Sequence, residues 1–135
     1  MENKEKDYEI IVEDDWVRVN VKNDILVTAD FIIQVLRELY SMEAYQNDKA
    51  AGLWDFRGCI TDIKYDSMMK IKRFIDNNYD PDWSHSITAF VVDHDLLYGL
   101  SRMYEIISED LPTTVSIFKN IDEAQDWIRE ETKQK

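Results

Sequence analysis

The residues best suited to chemistry are an acid and a base that follow a short apolar run. Ala50–Trp54 is typical of a buried strand, and the sequence then changes abruptly to Asp55 and Arg57. Open α/β sheets gather their ligands beyond the carboxyl ends of parallel strands, so this pair would be well placed to bind a ligand or a partner. The same residue types also end strands and fix turns. A purely structural ion pair is therefore the alternative.

Other polar residues are predicted to reach the same edge of the sheet. Asp93 follows the segment 86–92, which is apolar on both faces and is expected in the middle of the sheet. Tyr98 and Arg102 lie on the helix that comes next. The candidate residues for binding a ligand or partner are therefore Asp55, Arg57, Asp93, Tyr98 and Arg102. In the alternative interpretation, Arg57 pairs with Asp55, Asp62 or Asp93 only to fix the loops, and Tyr98 packs.

The same edge imitates the phosphoacceptor site of a receiver domain. Asp14 and Asp15 end the first apolar segment, Asp55 ends a middle strand, and Lys119 follows the last strand. Carboxylates placed in this way would hold Mg²⁺. A receiver needs a helix directly after Asp15, whereas "WVRVNVK" alternates and is rich in valine, which predicts a strand. The sequence also lacks glycine-rich phosphate loops, serine elbows and Cys/His metal spacings. We therefore expect that the protein is not an enzyme and that it holds no cofactor and no metal. Hydrolase or phosphotransfer chemistry at Asp55 is kept as an alternative hypothesis.

The charge, the cysteine content and the lack of long apolar runs argue against several classes of protein. With 16 basic and 28 acidic residues, the chain carries a net charge of −12. Nucleic acids and anionic membrane surfaces bind clustered Lys and Arg, so we expect neither as a partner. The start "MENKEKDY" lacks the apolar stretch of a secretory signal, and no apolar run is long enough to span a bilayer. The single cysteine, Cys59, fits a reducing compartment and an unreactive thiol. These features predict a cytoplasmic protein of one domain over residues 1–135.

Hydrophobic periodicity predicts an α/β chain. Residues 8–21 alternate with period two on both sides of Asp14 and Asp15, which indicates a β-hairpin. Further strands are expected at 50–54, 86–92 and 113–118. Apolar stripes predict helices at 29–42, 66–77 and 95–108, and a last helix that starts at Asn120 or Asp122. Thr28 is expected to cap the first of these helices and Asp66 the second. This alternation predicts right-handed βαβ units. Gly99 inside the third helix predicts a close packing contact there.

Three stretches together resemble a known family. "GLWDFRGCITD", "SITAFVVDHDLLYGLSRMYEI" and "VSIFKNIDEAQDWI" are similar to the SpoIIAA-like proteins, also described as STAS/Sec14-like domains. The resemblance covers residues 50–128. It implies a wound βα superhelix with an N-terminal β-hairpin, a mixed sheet of about five strands and four helices. It also implies a non-catalytic regulatory or interaction domain that binds a protein partner. Self-association is expected on a separate ground, because a sheet wound sequentially tends to leave one face uncovered, although helix 29–42 could cover it.

The phosphorylation switch of the family is not intact in this chain. Its motif is Asp-Ser-[Ser/Thr]-Gly at the start of the second helix, where this chain reads Asp66, Ser67, Met68, Met69. Ser67 is the candidate phosphoacceptor, and a simple first-turn polar residue is the alternative. The Sec14-like comparison implies a different function, carriage of a lipid or other small amphiphile. The wall residues expected for that function are Trp83, Leu97, Tyr98, Leu100 and Met103.

Overall fold

The computed structural model describes residues 7–13, 16–43, 51–80, 86–93, 95–107, 109 and 113–133. Its strands are β1 (Tyr8–Val12), β2 (Val17–Val21), β3 (Leu26–Val27), β4 (Ala51–Asp55), β5 (Ile60–Thr61), β6 (Ser86–Val91) and β7 (Thr113–Phe118). Its helices are α1 (Ala29–Ser41), α2 (Tyr65–Asn78), α3 (Asp95–Ile107) and α4 (Ile121–Lys133). In none of these helices is there a stretch both long and apolar enough to cross a membrane.

Five strands form one mixed sheet in the order β1-β2-β4-β6-β7. β1 and β2 are antiparallel, and the other neighbours are parallel. The predicted hairpin strands and the interior positions of β4 and β6 are confirmed, while the hairpin turn at Asp14 and Asp15 lies outside the described residues. β3 and β5 form a separate two-stranded parallel sheet. The sequence did not predict this pair, because a strand of two residues has no readable period.

Helices cover both faces of the large sheet. Side chains alternate between the faces along each strand, so Trp54 and Phe90 point to one face and their neighbours Leu53 and Ala89 point to the other. The first face packs under α1, α2 and α3. The second packs against Ala124 and Ile128 of α4. The chain is therefore wound through β2, β4, β6 and β7 with three helices on one face, and the last helix returns across the other.

Two of the predicted helix starts are confirmed. Thr28 caps α1, since its Oγ1 accepts a hydrogen bond from the Phe31 N–H at 3.1 Å. Of the two alternatives for α4, Asn120 is the residue that caps the helix. Its Oδ1 accepts from the N–H of Asp122 at 2.8 Å and from that of Glu123 at 3.2 Å. Side-chain oxygens at these positions satisfy backbone donors that have no partner inside the helix.

Two local predictions are wrong. Asp66 does not cap α2, because that helix begins at Tyr65 with Lys64 as its N-cap residue. The acid at 66 lies in the first helical turn, where a negative charge is favourable without being the cap. Gly99 does not mark a close packing contact either. Among the described residues, no atom outside its chain neighbours and the helix's own backbone lies within 4 Å of the position that a Cβ would take there.

Candidate functional site

Asp55 and Arg57 form an ion pair at the carboxyl end of β4. The guanidinium Nε donates to Oδ1 at 2.9 Å and Nη2 donates to Oδ2 at 2.7 Å. The backbone N–H of Arg57 also donates to Oδ1, at 3.1 Å. Two parallel bonds of this kind give the strongest geometry between arginine and a carboxylate. The Asp55 side chain is 12% exposed and the Arg57 side chain is 43% exposed. The carboxylate is therefore largely buried, whereas the arginine that pairs with it is partly exposed to solvent.

A tight turn brings the two residues together. The Phe56 N–H donates to the Val91 carbonyl at 2.9 Å, and the Cys59 N–H donates back to the Phe56 carbonyl at 3.0 Å. Gly58, the third residue of this turn, has a φ of +81°, as a type II turn requires. A Cβ at this position would lie 2.5 Å from Oδ1 of Asn23. The backbone therefore favours glycine here, and any larger residue would also displace the Asn23 side chain.

Asp93 and Arg18 flank the ion pair on its two sides. Asp93 accepts a hydrogen bond from the Gly58 N–H through Oδ1 at 3.1 Å, which ties the turn to the end of the next strand. Arg18 reaches over from β2. Its Nη2 lies 3.9 Å from Oδ2 of Asp55, and its Nε donates to Oδ1 of Asn20 at 2.8 Å.

This setting keeps Asp55 ionised. Burial alone would raise the pKa of Asp55, but the hydrogen bonds from Arg57 and the positive charges of Arg57 and Arg18 outweigh burial and lower the pKa below its ordinary value. The hydrogen bond with Asp55 in turn raises the pKa of Arg57 against the opposing effect of burial. A carboxylate held in this way is a poor general base and a poorly accessible nucleophile. The arrangement is that of an ion pair that supports a turn.

The other predicted site residues have different partners. The Lys119 ammonium lies 4.9 Å from the centre of the Tyr98 ring, within reach of a cation–π interaction. Arg102 is exposed and pairs with Glu105 on its own helix at 3.2 Å. The structure therefore brings Asp55, Arg57 and Asp93 together, and places Tyr98 and Arg102 in other contacts. A role of any of these residues in binding remains a prediction.

Ser67 is placed unfavourably for a phosphate switch. Its Oγ accepts a hydrogen bond from the Lys64 N–H at 3.3 Å, which supports the first turn of α2. The shallow depression around it also contains Asp30, Asp62 and Asp66. A phosphate would bring close to two negative charges beside these carboxylates. Lys70, the nearby base, already bonds Asp30 at 2.6 Å.

The receiver-like arrangement does not form. β2 follows β1 as an antiparallel strand where a receiver needs a helix. Lys119 lies over Tyr98, and Asp55 is paired with Arg57. Within the described residues, no group of three or more His, Cys, Asp or Glu side chains is placed to hold a metal ion. Asp14, Asp15 and both histidines (His85 and His94) lie outside those residues.

Cys59 is buried next to the ion pair, and we expect it to react slowly. Its Sγ donates to the Lys22 carbonyl at 3.4 Å. Burial raises the pKa of the Cys59 thiol from 9.0 to about 11, and the charges of Asp55, Asp93 and Asp24 add to the increase. The thiolate fraction at pH 8 then falls about a hundredfold. Alkylation by iodoacetamide should be slower by at least that factor in the folded chain than in urea, as followed by mass spectrometry. Equal rates would contradict this account.

A cavity of about 80 Å³ lies between the large sheet and helices α1, α2 and α3. Sequence reasoning missed it. None of its nineteen described lining residues carries a charge, and several bear hydroxyl groups. Of the wall residues predicted for an amphiphile, Trp83 and the side chains of Leu97, Leu100 and Met103 lie outside the described residues. Tyr98 does not line the cavity. The sequence signal was the presence of Ser86 and Thr88 within an otherwise apolar strand.

The strand order, the N-terminal hairpin and the helices on both faces define a SpoIIAA-like α/β fold, as the resemblance predicted. The crystal structure of an uncharacterised protein of the DUF3478 family from Shewanella loihica PV-4, described as having a SpoIIAA-like fold, superposes with a TM-score of 0.51. The match covers 90% of this chain and 91% of that one at 10% sequence identity. At this identity the likeness shows the fold alone. No family model and no curated relative matches the chain.

Proposed function

We propose that this chain is a non-catalytic regulatory or interaction domain that acts in the cytoplasm by binding a protein partner. The SpoIIAA-like fold is compatible with such a role. The carboxylate best placed for chemistry, Asp55, is committed to Arg57. The observation that carries the proposal is an exposed pair of aliphatic side chains beside the turn that contains Arg57.

Leu26 and Ile60 form this pair, here called the Leu26–Ile60 strip. They are opposite partners on β3 and β5 and are 45% and 56% exposed. The next residues, Val27 and Thr61, turn inward, with Thr61 Oγ1 donating to the Val27 carbonyl at 2.7 Å. The small sheet therefore has one face on the core and presents two large aliphatic side chains outward. Adjacent exposed apolar side chains of this kind mark sites of protein interaction more often than isolated ones do.

The partner is expected to combine an apolar contact with a basic surface. The chain carries a net charge of −12, which attracts positively charged proteins and repels acidic ones at long range. The strip supplies the apolar centre, where charge is usually depleted in interfaces. β5 begins directly after Cys59, so the turn that contains Arg57 adjoins the strip. On this proposal the ion pair of Asp55 and Arg57 stabilises the fold, and the strip contacts the partner.

Introducing charged side chains into the Leu26–Ile60 strip tests whether it binds the partner. The tagged chain, its Leu26→Glu/Ile60→Glu double variant and an Ile106→Glu control are used to capture proteins from the native cell. Ile106 is 64% exposed on α3 and does not belong to the small sheet. We expect a near-stoichiometric partner with wild type and with the control, and about a tenfold lower yield with the double variant, the effect of roughly 1.4 kcal/mol of binding energy. Equal recovery by all three chains would refute the strip as the binding surface.

Carriage of a small ligand is the second candidate function, and the cavity beneath the helices favours it. A space of about 80 Å³ is larger than the roughly 10–15 Å³ that one water molecule needs. Native mass spectrometry of the protein purified from its own cell tests this function directly. A retained small molecule would support it. A mass equal to that of the bare chain, together with no stabilisation by any ligand class tested, would count against it.

A further inference from the structure

The cavity has a polar end and an apolar end. Its hydroxyl-bearing lining includes Ser86 and Thr113, the first residues of β6 and β7. Thr88, the third residue of β6, and Tyr104 near the end of α3 also belong to it. The Oγ1 atoms of Thr88 and Thr113 are 3.2 Å apart and share one hydrogen bond. Two threonine hydroxyls carry two donors and four lone pairs, so one shared bond leaves both donor and acceptor capacity in the pair.

The opposite end of the cavity, toward the carboxyl ends of the strands, is lined by hydrocarbon. Trp54 and Phe90, which are register partners near the ends of β4 and β6, and Phe56 directly after β4 contribute to it. The Thr61 hydroxyl also lines the cavity but is used within the small sheet, where it donates to the Val27 carbonyl at 2.7 Å. The cavity therefore separates polar from apolar lining along its length, as a site for an amphiphilic molecule should.

The described lining residues favour an uncharged ligand. None of the nineteen described lining residues is ionisable at neutral pH. This is notable in a chain with 44 charged residues among 135, the 16 basic and 28 acidic residues together. An ion brought into such a space would lose its hydration without gaining a counter-charge, which is strongly unfavourable. A neutral molecule with one hydrogen-bonding group meets no such penalty.

Size and shape favour a compact ring. Trp54, Phe90 and Tyr104 line the cavity, and the Phe90 ring centre lies 6.2 Å from that of Trp54 and 5.9 Å from that of Tyr104. Aromatic walls of this kind favour edge-to-face contacts with another ring. The volume of about 80 Å³ is below the roughly 150 Å³ of an apolar cavity that binds benzene. One ring therefore already requires small side-chain movements, and a long acyl chain does not fit.

We infer that this cavity is a binding site for a neutral, single-ring amphiphile whose hydroxyl or carbonyl group meets Thr88 and Thr113. The inference rests on the second candidate function proposed above and specifies its ligand. It replaces the lipid suggested by the Sec14-like resemblance with a smaller and uncharged compound. The ring lies against Trp54 and Phe90, and the polar group points toward the first residues of β6 and β7.

Four probes test this assignment on the full chain. Phenol has the expected ring and hydroxyl, toluene lacks the hydroxyl, benzoate is of similar size but charged, and laurate represents an acyl lipid. Isothermal titration and melting curves should show phenol binding about tenfold more tightly than toluene, as expected for one hydrogen bond, and benzoate more weakly than either. Benzoate binding as tightly as phenol would overturn the assignment.

Two variants locate the binding. Thr88→Val/Thr113→Val removes both hydroxyls at once, so neither is left without its partner, and the fold is expected to persist. It should lose the preference for phenol and bind toluene as before. Ser101→Leu places a larger side chain in the cavity wall and should weaken both ligands together. Unchanged phenol binding by both variants would show that phenol binds elsewhere and would refute the site.

The outcomes also separate this inference from the function on which it rests. If laurate binds and phenol does not, and Ser101→Leu abolishes laurate binding, small-ligand carriage stands and the neutral ring is wrong. If none of the four probes binds and native mass spectrometry shows no retained molecule, both are wrong. Neither result bears on the Leu26–Ile60 strip, which the capture experiment tests separately.

Discussion

Replacing Asp55 by alanine is expected to lower the free energy of unfolding by about 2–3 kcal/mol, the range for losing hydrogen bonds to a charged group. The carboxylate accepts three hydrogen bonds from Arg57, one of them from the backbone that forms the turn. Urea denaturation at pH 7 measures the change. Glu130→Ala, on the exposed side of α4, is the matched control and should change stability by no more than about 0.5 kcal/mol.

Arg57→Ala should have a smaller or similar effect, about 1–3 kcal/mol, because the Arg57 side chain is 43% exposed and part of its charge is screened by water. A double-mutant cycle with Asp55→Ala then measures the interaction of the pair. A coupling energy near zero would contradict the hydrogen bonds described here.

The contribution of Asp55 should also depend on pH. The pKa of Asp55 is lower in the folded chain than its ordinary value, so the ionised form stabilises the fold above the ordinary carboxylate pKa of about 3.9. That stabilisation is lost as the pH falls through the folded pKa. The stability difference between wild type and Asp55→Asn should therefore be largest at neutral pH and shrink below about pH 4. A difference that stays constant down to acidic pH would argue against ionisation of Asp55 as its source.

Ile128→Ala is expected to lower the free energy of unfolding by about 2–5 kcal/mol. Ile128 is fully buried in the cluster that joins α4 to Leu53, Ala89 and the second face of the sheet. Truncation would leave a cavity between two rigid layers, which is why the expected loss is large. Glu130→Ala again serves as the control on the same helix. A loss below about 1 kcal/mol would mean that α4 does not cover this face.

The elements with a readable period were predicted well. β7 matches its predicted bounds, and Thr28 was identified as a cap because a hydroxyl directly precedes an apolar stripe. The partner of Arg57 was predicted only as one of three carboxylates. Arg57 pairs with Asp55 because of the tight turn over residues 56–59, in which Gly58 has a positive φ. The sequence does not reveal that φ.

The cavity and the strip depend on long-range packing that local sequence patterns do not encode. The strip needs β3 and β5 to pair across more than thirty residues. The cavity needs three helices to leave space above Ser86 and Thr88. Small polar residues at inward positions of a central strand were the available signal. A prediction from alternating polarity treats Ser86 and Thr88 as tolerated exceptions, because the pattern contains no information on which elements cover the sheet.

The central claim is that the ion pair supports the turn whereas the Leu26–Ile60 strip binds the partner. The most direct test measures the amount of partner recovered per mole of folded chain for Arg57→Ala and for Leu26→Glu/Ile60→Glu, with the melting temperature of each variant taken on the same sample. We predict that Arg57→Ala melts at a lower temperature yet recovers as much partner as wild type, and that the double variant loses the partner. An Arg57→Ala chain with an unchanged melting temperature and no partner, or a double variant with full recovery, would contradict the account.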